Sequence, residues 1–207
     1  MKEEELLRLE SMWSLEHALF EKGYSAVAGV DEAGRGPLAA EVYAAAVILP
    51  PDICIEGLND SKKLSEKKRE KLYDEICECA LAYAVATASV EEIDEFNIRN
   101  ATYMAMNRAI EALKIKPDFV MVDGDCIKDC AYPHECVIKG DAKSLSIAAA
   151  SVLAKVSRDR HMLSLAEKYP MYGFEKHKGY GTAAHIAALK EYGACEIHRK
   201  TFIKKFV

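Results

Sequence analysis

Carboxylates placed where strands or helices begin and end are the residues in this chain best suited to chemistry. Asp31 and Glu32 follow the apolar run at 26–30 and precede Ala33-Gly34-Arg35-Gly36-Pro37-Leu38. Asp123 closes the buried-type run Phe119-Val120-Met121-Val122 and is followed by Gly124-Asp125. Asp141 lies in Gly140-Asp141-Ala142-Lys143, just ahead of a long stretch of small residues. Three separated acidic sites of this kind can converge at one edge of an α/β sheet. Their oxygens suit Mg²⁺, which binds through a few carboxylates, waters and substrate phosphates. Two such ions about 4 Å apart activate a water and stabilise the leaving oxygen in phosphodiester hydrolysis.

Neighbouring side chains on a strand point to opposite faces, so Asp31 and Glu32 share one mouth only if the backbone turns there. Gly34, Gly36 and Pro37 supply that turn, because glycine reaches positive φ without strain and proline fixes φ. Arg35, between the glycines, adds a guanidinium suited to a phosphate ester. For Asp141 a plain helix cap is the competing role, since a helix N-terminus already favours a carboxylate. Lys62 and Lys63 stand before a helix that Ser65 can cap, where lysines either meet phosphates or are simply solvated. The loop at 171–182 carries Tyr172, Phe174 and Tyr180 among glycines and lysines, a composition that suits a nucleotide sugar or base.

The elements that must position these groups are legible from periodicity. Apolar spacing predicts a helix over 3–22 that Gly23 ends, strands at 26–30 and 42–49, and a helix over 66–80. A strand at 82–88, a short helix at 91–96 and a longer one at 99–113 follow, with Asn97 between them as cap or turn. Strands then end at Asp123 and run from 135 to 139, and a long helix extends from 144 to 168. A further helix opens at about Ala183, and a short basic helix closes the chain. A single domain of 207 residues is expected, with 1–22 as an N-terminal helix and about 183–207 as a helical C-terminal extension.

The formal net charge is −5, but it is unevenly spread. Residues 155–207 hold eleven Lys or Arg against five Asp or Glu, and residues 1–154 hold seventeen against twenty-eight. A basic C-terminal third beside an acidic pocket is compatible with gripping a polyanion near a cation-dependent centre. No apolar run approaches the eighteen or so residues that cross a bilayer, and the acidic N-terminus has no signal core, so a soluble, cytoplasmic protein with no membrane association is expected. The seven cysteines lack paired CxxC spacing and read as reduced thiols, although Cys126, Cys130 and Cys136 with His134 nearby are a weak alternative metal or disulfide cluster.

Taken together, several stretches resemble bacterial ribonuclease HII, the type 2 ribonuclease H family. They are AGVDEAGRGPLA at 28–39, NDSKKLSEKKREKLYDEI at 59–76, VDGD at 122–125, KGDAKSLSIAAASVLAKVSRDR at 139–160 and FEKHKGYGT at 174–182. The resemblance implies a ribonuclease H-like α/β fold: a mixed five-stranded sheet flanked by helices, with a helical C-terminal region. It implies an endonuclease, expected to be monomeric, that cuts the RNA strand of RNA/DNA hybrids and single ribonucleotides embedded in duplex DNA. Asp31, Glu32, Asp123 and Asp141 would then be the catalytic carboxylates that bind two Mg²⁺ or Mn²⁺ ions. Gly34, Arg35 and Gly36 would read the ribonucleotide, Tyr180 would stack on the sugar beyond the cut, and Lys62, Ser151, Lys155 and Arg158 would contact phosphate or support the site. Reading the 2′-hydroxyl is what distinguishes RNA from DNA at one position.

Two features depart from the family pattern. Ala40-Glu41 stands where Gly-Pro is usual, which places an extra carboxylate near the site, and Tyr192 to Arg199 lacks the prolines often found before the His-Arg pair. Asp125 and Asp159 are not assigned to catalysis: Asp125 is one strand period past Asp123, and Asp159 lies between Arg158 and Arg160, which can satisfy it. Two competing readings are a hybrid-binding protein that has lost catalysis, and a type 3 ribonuclease H. The intact carboxylates argue against the first, and the short stretch before the first strand argues against the second.

Overall fold

In the computed structural model, which describes residues 2–207, alternation along five strands decides the layers. β1 (Val27–Ala33) pairs antiparallel with β2 (Val42–Ile48), and β2 pairs antiparallel with β3 (Ala82–Ala88). On its other side β1 runs parallel to β4 (Phe119–Asp123), and β4 runs parallel to β5 (His134–Val137). The order β3-β2-β1-β4-β5 makes a mixed five-stranded sheet. The helices in chain order are α1 (Glu3–Met12), α2 (Ser14–Glu21), α3 (Glu66–Cys79), α4 (Val90–Glu111), α5 (Leu145–Lys168), α6 (Phe174–His177), α7 (Ala183–Tyr192) and α8 (Lys200–Ile203). None of them is long and apolar enough to cross a membrane.

Ala44, Ala46 and Ile48 of β2 join Ala28, Val30, Val120 and Val122 in a core under α4. The intervening Ala45 and Val47 turn to the opposite face, where they meet α1, α3 and α5. This two-faced burial is why the strands read as nearly continuous apolar runs. Small side chains allow close helix approach on the α5 face. A Cβ on Gly29 would lie 2.2 Å from the carbonyl carbon of Ser146, so the first turn of α5 rests directly on the β1 backbone.

Caps fix the helix starts. The Ser65 hydroxyl accepts from Lys68 N–H, and Ser89 forms a capping box with Glu92. Asn97 breaks α4 at φ 67°, and its side-chain oxygen accepts from the backbone N–H groups of Arg99 and Asn100. The predicted helix at 3–22 is two helices that meet at Trp13, whose buried indole N–H donates to the Ile53 carbonyl at 3.0 Å. The predicted loop at 171–182 contains α6, bracketed by left-handed residues Gly173 and Lys178.

Glu16 was not singled out by the sequence, yet it is fully buried on α2. Its Oε1 accepts from the Ser144 hydroxyl at 2.6 Å and from Ser146 N–H at 3.0 Å, tying α2 to the start of α5. Burial raises its pKa, and the serine contacts oppose the rise.

The contact at Gly29 sets a test. Gly29→Ala is expected to destabilise the fold by about 1–3 kcal/mol, the cost of overpacking a site that cannot relax. Urea denaturation measures it, and unchanged stability would mean that α5 does not lie on β1 as described.

Candidate active site

The parallel register of β1 and β4 brings the first two carboxylates together. Val30 is the partner of Val122, so Asp31 and Asp123, one residue further along each strand, emerge side by side on the α5 face. The third arrives on the turn that enters α5. Lys139 takes a left-handed conformation at φ 56°, and Gly140 N–H donates to Asp123 Oδ1 at 2.6 Å. A Cβ at 140 would lie 2.6 Å from Ile147 Cδ1 and 3.3 Å from Asp123 Oδ1, so the turn packs closely on both. Ser144, rather than Asp141, caps α5: its hydroxyl accepts from Ile147 N–H. The Asp141 carboxyl is thereby left for the cluster, and oxygens of Asp31, Asp123 and Asp141 lie within 4.8 Å of one another.

Glu32 is outside that trio. β1 continues through Ala33, so the turn expected at Asp31 and Glu32 comes later. Glu32 Oε1 sits 3.8 Å from Arg35 Nη1 on the adjoining wall, still close enough to feel Asp123 and Asp141.

Burial and mutual repulsion raise the pKa values in the cluster. Asp31 is pushed well above the usual carboxylate value by burial first, then by Glu32 and Asp123. Glu32 is raised chiefly by burial, against the pull of Arg35. Asp141 is raised by burial, then by Asp123 and Asp60. Lys62 is opposed by its own burial, but Asp31, Asp141 and Asp60 hold its pKa above the ordinary lysine value. Buried like charges of hard oxygen character, with a single lysine among them, fit a divalent cation.

A cleft beside the trio collects the remaining candidates: Glu32, Gly34, Arg35, Gly36, Lys62, Ser151, Lys155, Arg158 and Tyr180 line it. Ser151 hydrogen-bonds Asp31 and shares a 2.8 Å contact with the Ser61 hydroxyl. Lys155 pairs with Asp159 at 2.7 Å. Arg158 is buried and donates to the carbonyls of Ala39, Glu41 and Lys178. Gly34, at φ 95°, packs so tightly on that guanidinium that a Cβ would lie 2.1 Å from Arg158 Nε. Tyr180 is half-exposed, and its ring edge lies against Gly36.

Other expectations resolve differently. Asp159 is held by Lys155 and by Arg69 at 3.9 Å, whereas Arg160 pairs with Glu70, so the flanking arginines do not satisfy it. Asp125 is exposed, 3.9 Å from Arg99. Glu41 faces His161 on α5 at 3.0 Å, away from the acidic trio. Burial works to raise the Glu41 pKa, but the His161 contact brings it below the ordinary value. Cys126, Cys130 and Cys136 are free thiols against the α4 core. Two participants escaped the sequence reading. Asp60 faces Asp141 across the cluster, and Arg199 lies fully buried beneath the 34–40 loop. Asp60 lies in the Asn59-Asp60-Ser61-Lys62 stretch, which had drawn attention only to its lysines.

A mixed β3-β2-β1-β4-β5 sheet with clustered acids at the ends of its central parallel strands, beside a basic cleft, is a ribonuclease H-like fold with a site suited to a divalent cation. Residues 28–205 match the family model described as Ribonuclease HII. Ribonuclease HII of Caldicellulosiruptor saccharolyticus is 56% identical over 96% of this chain and 97% of its own length. That of Clostridioides difficile is 52% identical over 100% of this chain and 80% of its own length. The crystal structure of ribonuclease H2 from Pyrococcus horikoshii OT3 superposes with a TM-score of 0.73 at 30% identity, covering 88% of this chain and 97% of that one. The chain belongs to the ribonuclease HII family and is a ribonuclease H hydrolase acting on nucleic acid.

Repulsion in the cluster gives a signed expectation. Asp31 has a raised folded-state pKa, so its contribution to stability is complete at low pH and is lost as pH rises through that value. Asp31→Asn should therefore raise the melting temperature of the metal-free protein at pH 8 by about 2–4 °C. The gain should shrink on acidification. Added Mg²⁺ should stabilise the parent chain more than the variant. Scanning calorimetry in chelator and in Mg²⁺ checks both, and a variant less stable than the parent in chelator at pH 8 would contradict the electrostatic account.

Proposed function

We propose that this ribonuclease cuts the RNA strand of RNA/DNA hybrids and also cuts at single ribonucleotides embedded in duplex DNA. The reaction is hydrolysis with two divalent cations, Mg²⁺ or Mn²⁺, leaving 5′-phosphate and 3′-hydroxyl ends. The observation that carries the reading is adjacency: Ser151, which hydrogen-bonds Asp31 of the acidic trio, and Glu32 line one cleft with the Gly34–Gly36 loop and Tyr180. A site that hydrolyses a phosphodiester and inspects the neighbouring sugar needs those parts in contact.

In this reading Asp31, Asp123 and Asp141, with Glu32 at the adjoining wall, hold the cations. When bound, the ions supply the positive charge that lowers the pKa of water and stabilises the leaving oxygen. The protein's own residues do the rest. Gly140 N–H and Ser151 keep Asp123 and Asp31 oriented. Lys62, Arg35 and Lys155 attract the phosphate backbone into the cleft, a contribution that weakens with salt. The loop amides and the Tyr180 ring meet the ribose, whose 2′-hydroxyl is the only feature distinguishing it from DNA. One chain supplies every one of these residues, so the reading needs no residue from a second subunit.

Cleavage mapping on two duplexes tests the reading, one with a run of ribonucleotides and one with a single ribonucleotide. Both should be cut in Mg²⁺ or Mn²⁺ with 3′-hydroxyl ends, and binding of the single-ribonucleotide duplex without cleavage would sink the proposal. Asp123→Asn should lose cleavage while keeping the fold. Tyr180→Ala should lower kcat/KM on the single ribonucleotide by about 5- to 150-fold, the range expected for one lost aromatic stack. Equal rates would remove Tyr180 from the role.

A further inference from the structure

We propose that the His198-Arg199 dipeptide of the C-terminal segment is the positioning element of the ribonucleotide reader, fixing the 34–41 backbone and Tyr180 in one relation. The inference rests on the reading of the Gly34–Gly36 loop given above.

The segment lies alongside the loop like a short strand. Ala40 N–H donates to Ile197 O at 2.8 Å, Arg199 N–H donates to Leu38 O at 2.9 Å, and Ala39 bridges His198. From there the Arg199 side chain reaches under the loop. Its Nε donates to Ala40 O at 2.8 Å, Nη1 to Arg35 O and Pro37 O at 3.0 and 2.8 Å, and Nη2 to Gly34 O at 2.7 Å. The guanidinium is wholly buried and its partners are neutral carbonyls. A buried cation satisfied this way is costly unless its fork geometry serves a purpose.

That purpose follows from the planarity of the peptide. In a trans peptide, C=O and N–H point to opposite sides, and this chain has no cis bonds among the described residues. Drawing the carbonyls of Gly34 and Arg35 down onto Arg199 therefore turns the N–H groups of Arg35 and Gly36 away from it. Both residues line the cleft, and among the described residues no protein acceptor takes either N–H. Successive free amides above a buried positive charge form a receptor for an anionic or hydroxyl oxygen.

His198 governs the other wall. Cys195 N–H donates to His198 Nδ1 at 3.0 Å, so the proton of this ring is assigned to Nε2. Nε2 then donates to His185 Nε2 at 3.0 Å, which leaves the His185 proton on Nδ1, donating to Tyr180 O at 3.0 Å. The relay has one polarity and requires both rings neutral. Burial lowers both pKa values, that of His198 to about 4. Adjacent residues thus hold the two halves of the reader. Leu38 N–H, bonded to Gly179 O at 2.8 Å, joins the halves directly.

Binding preference, rather than turnover, isolates the effect. In the Asp123→Asn background, fluorescence anisotropy compares a duplex carrying one ribonucleotide with the same all-deoxy duplex. Adding Arg199→Lys keeps the charge and loses the fork, and should lower the preference about tenfold or more while the protein stays folded. If Asp123→Asn alone shows no preference, the reading of the loop fails. If it does and the folded Arg199→Lys protein keeps that preference, the positioning role is overturned. Should Arg199→Lys fail to fold, His198 decides. His198→Gln keeps a donor toward His185 Nε2 and should retain preference, whereas His198→Leu should lose it. Equal preference in those two variants would overturn the proposal.

Discussion

The close approach of α5 to β1 is the constraint on which the rest of the structure depends. Because residue 29 has no side chain, Ser146 and Ile147 lie against the strand backbone, and the turn before them drops onto the end of the sheet. Asp141 is carried on that turn, Ser151 one turn or more into the helix meets Asp31, and Arg158 further along reaches the 34–41 loop. One helix thus supplies or orients groups at every wall of the cleft. Glu16 reinforces the same joint from the far side, receiving Ser144 and Ser146 on a buried carboxyl.

The acidic cluster opposes folding locally and suits it to function. Burial and like charge raise the pKa values of Asp31 and Asp141 together, and a bound cation would relieve the repulsion. The surrounding fold tolerates this because the carboxylates are not left without donors. Gly140 N–H serves Asp123, and Glu32 N–H serves Asp31 at 2.7 Å. Lys62 and Arg35 temper the field without neutralising it.

Positive charge is used in two separate ways. Lys62 and Arg35 are partly exposed and face the cleft, where a polyanion can meet them. Arg158 and Arg199 are buried and engage backbone carbonyls, which makes them part of the architecture of the loop. The basic excess of the last fifty residues therefore overstates the charge offered to nucleic acid.

The sequence by itself determined the strands, most helix limits and the carboxylates, because these depend on local periodicity, on caps such as Ser65, and on glycines that permit one backbone shape. It also carried the family motifs that imply the fold. It did not determine which oxygens meet: the trio of Asp31, Asp123 and Asp141 follows from strand register, and Glu32 stands beside that trio on the wall of the cleft. Nor did it reveal the Arg69 partner of Asp159, the direction of Glu41 or the tasks of Glu16, Asp60 and Arg199, since each depends on a residue 81 to 165 positions away. Ser144 shows the boundary most clearly. Asp141 and Ser144 are both good capping residues by type, and only the three-dimensional turn, pinned by Gly140 on Asp123, gives the cap to Ser144 and leaves Asp141 for the cluster.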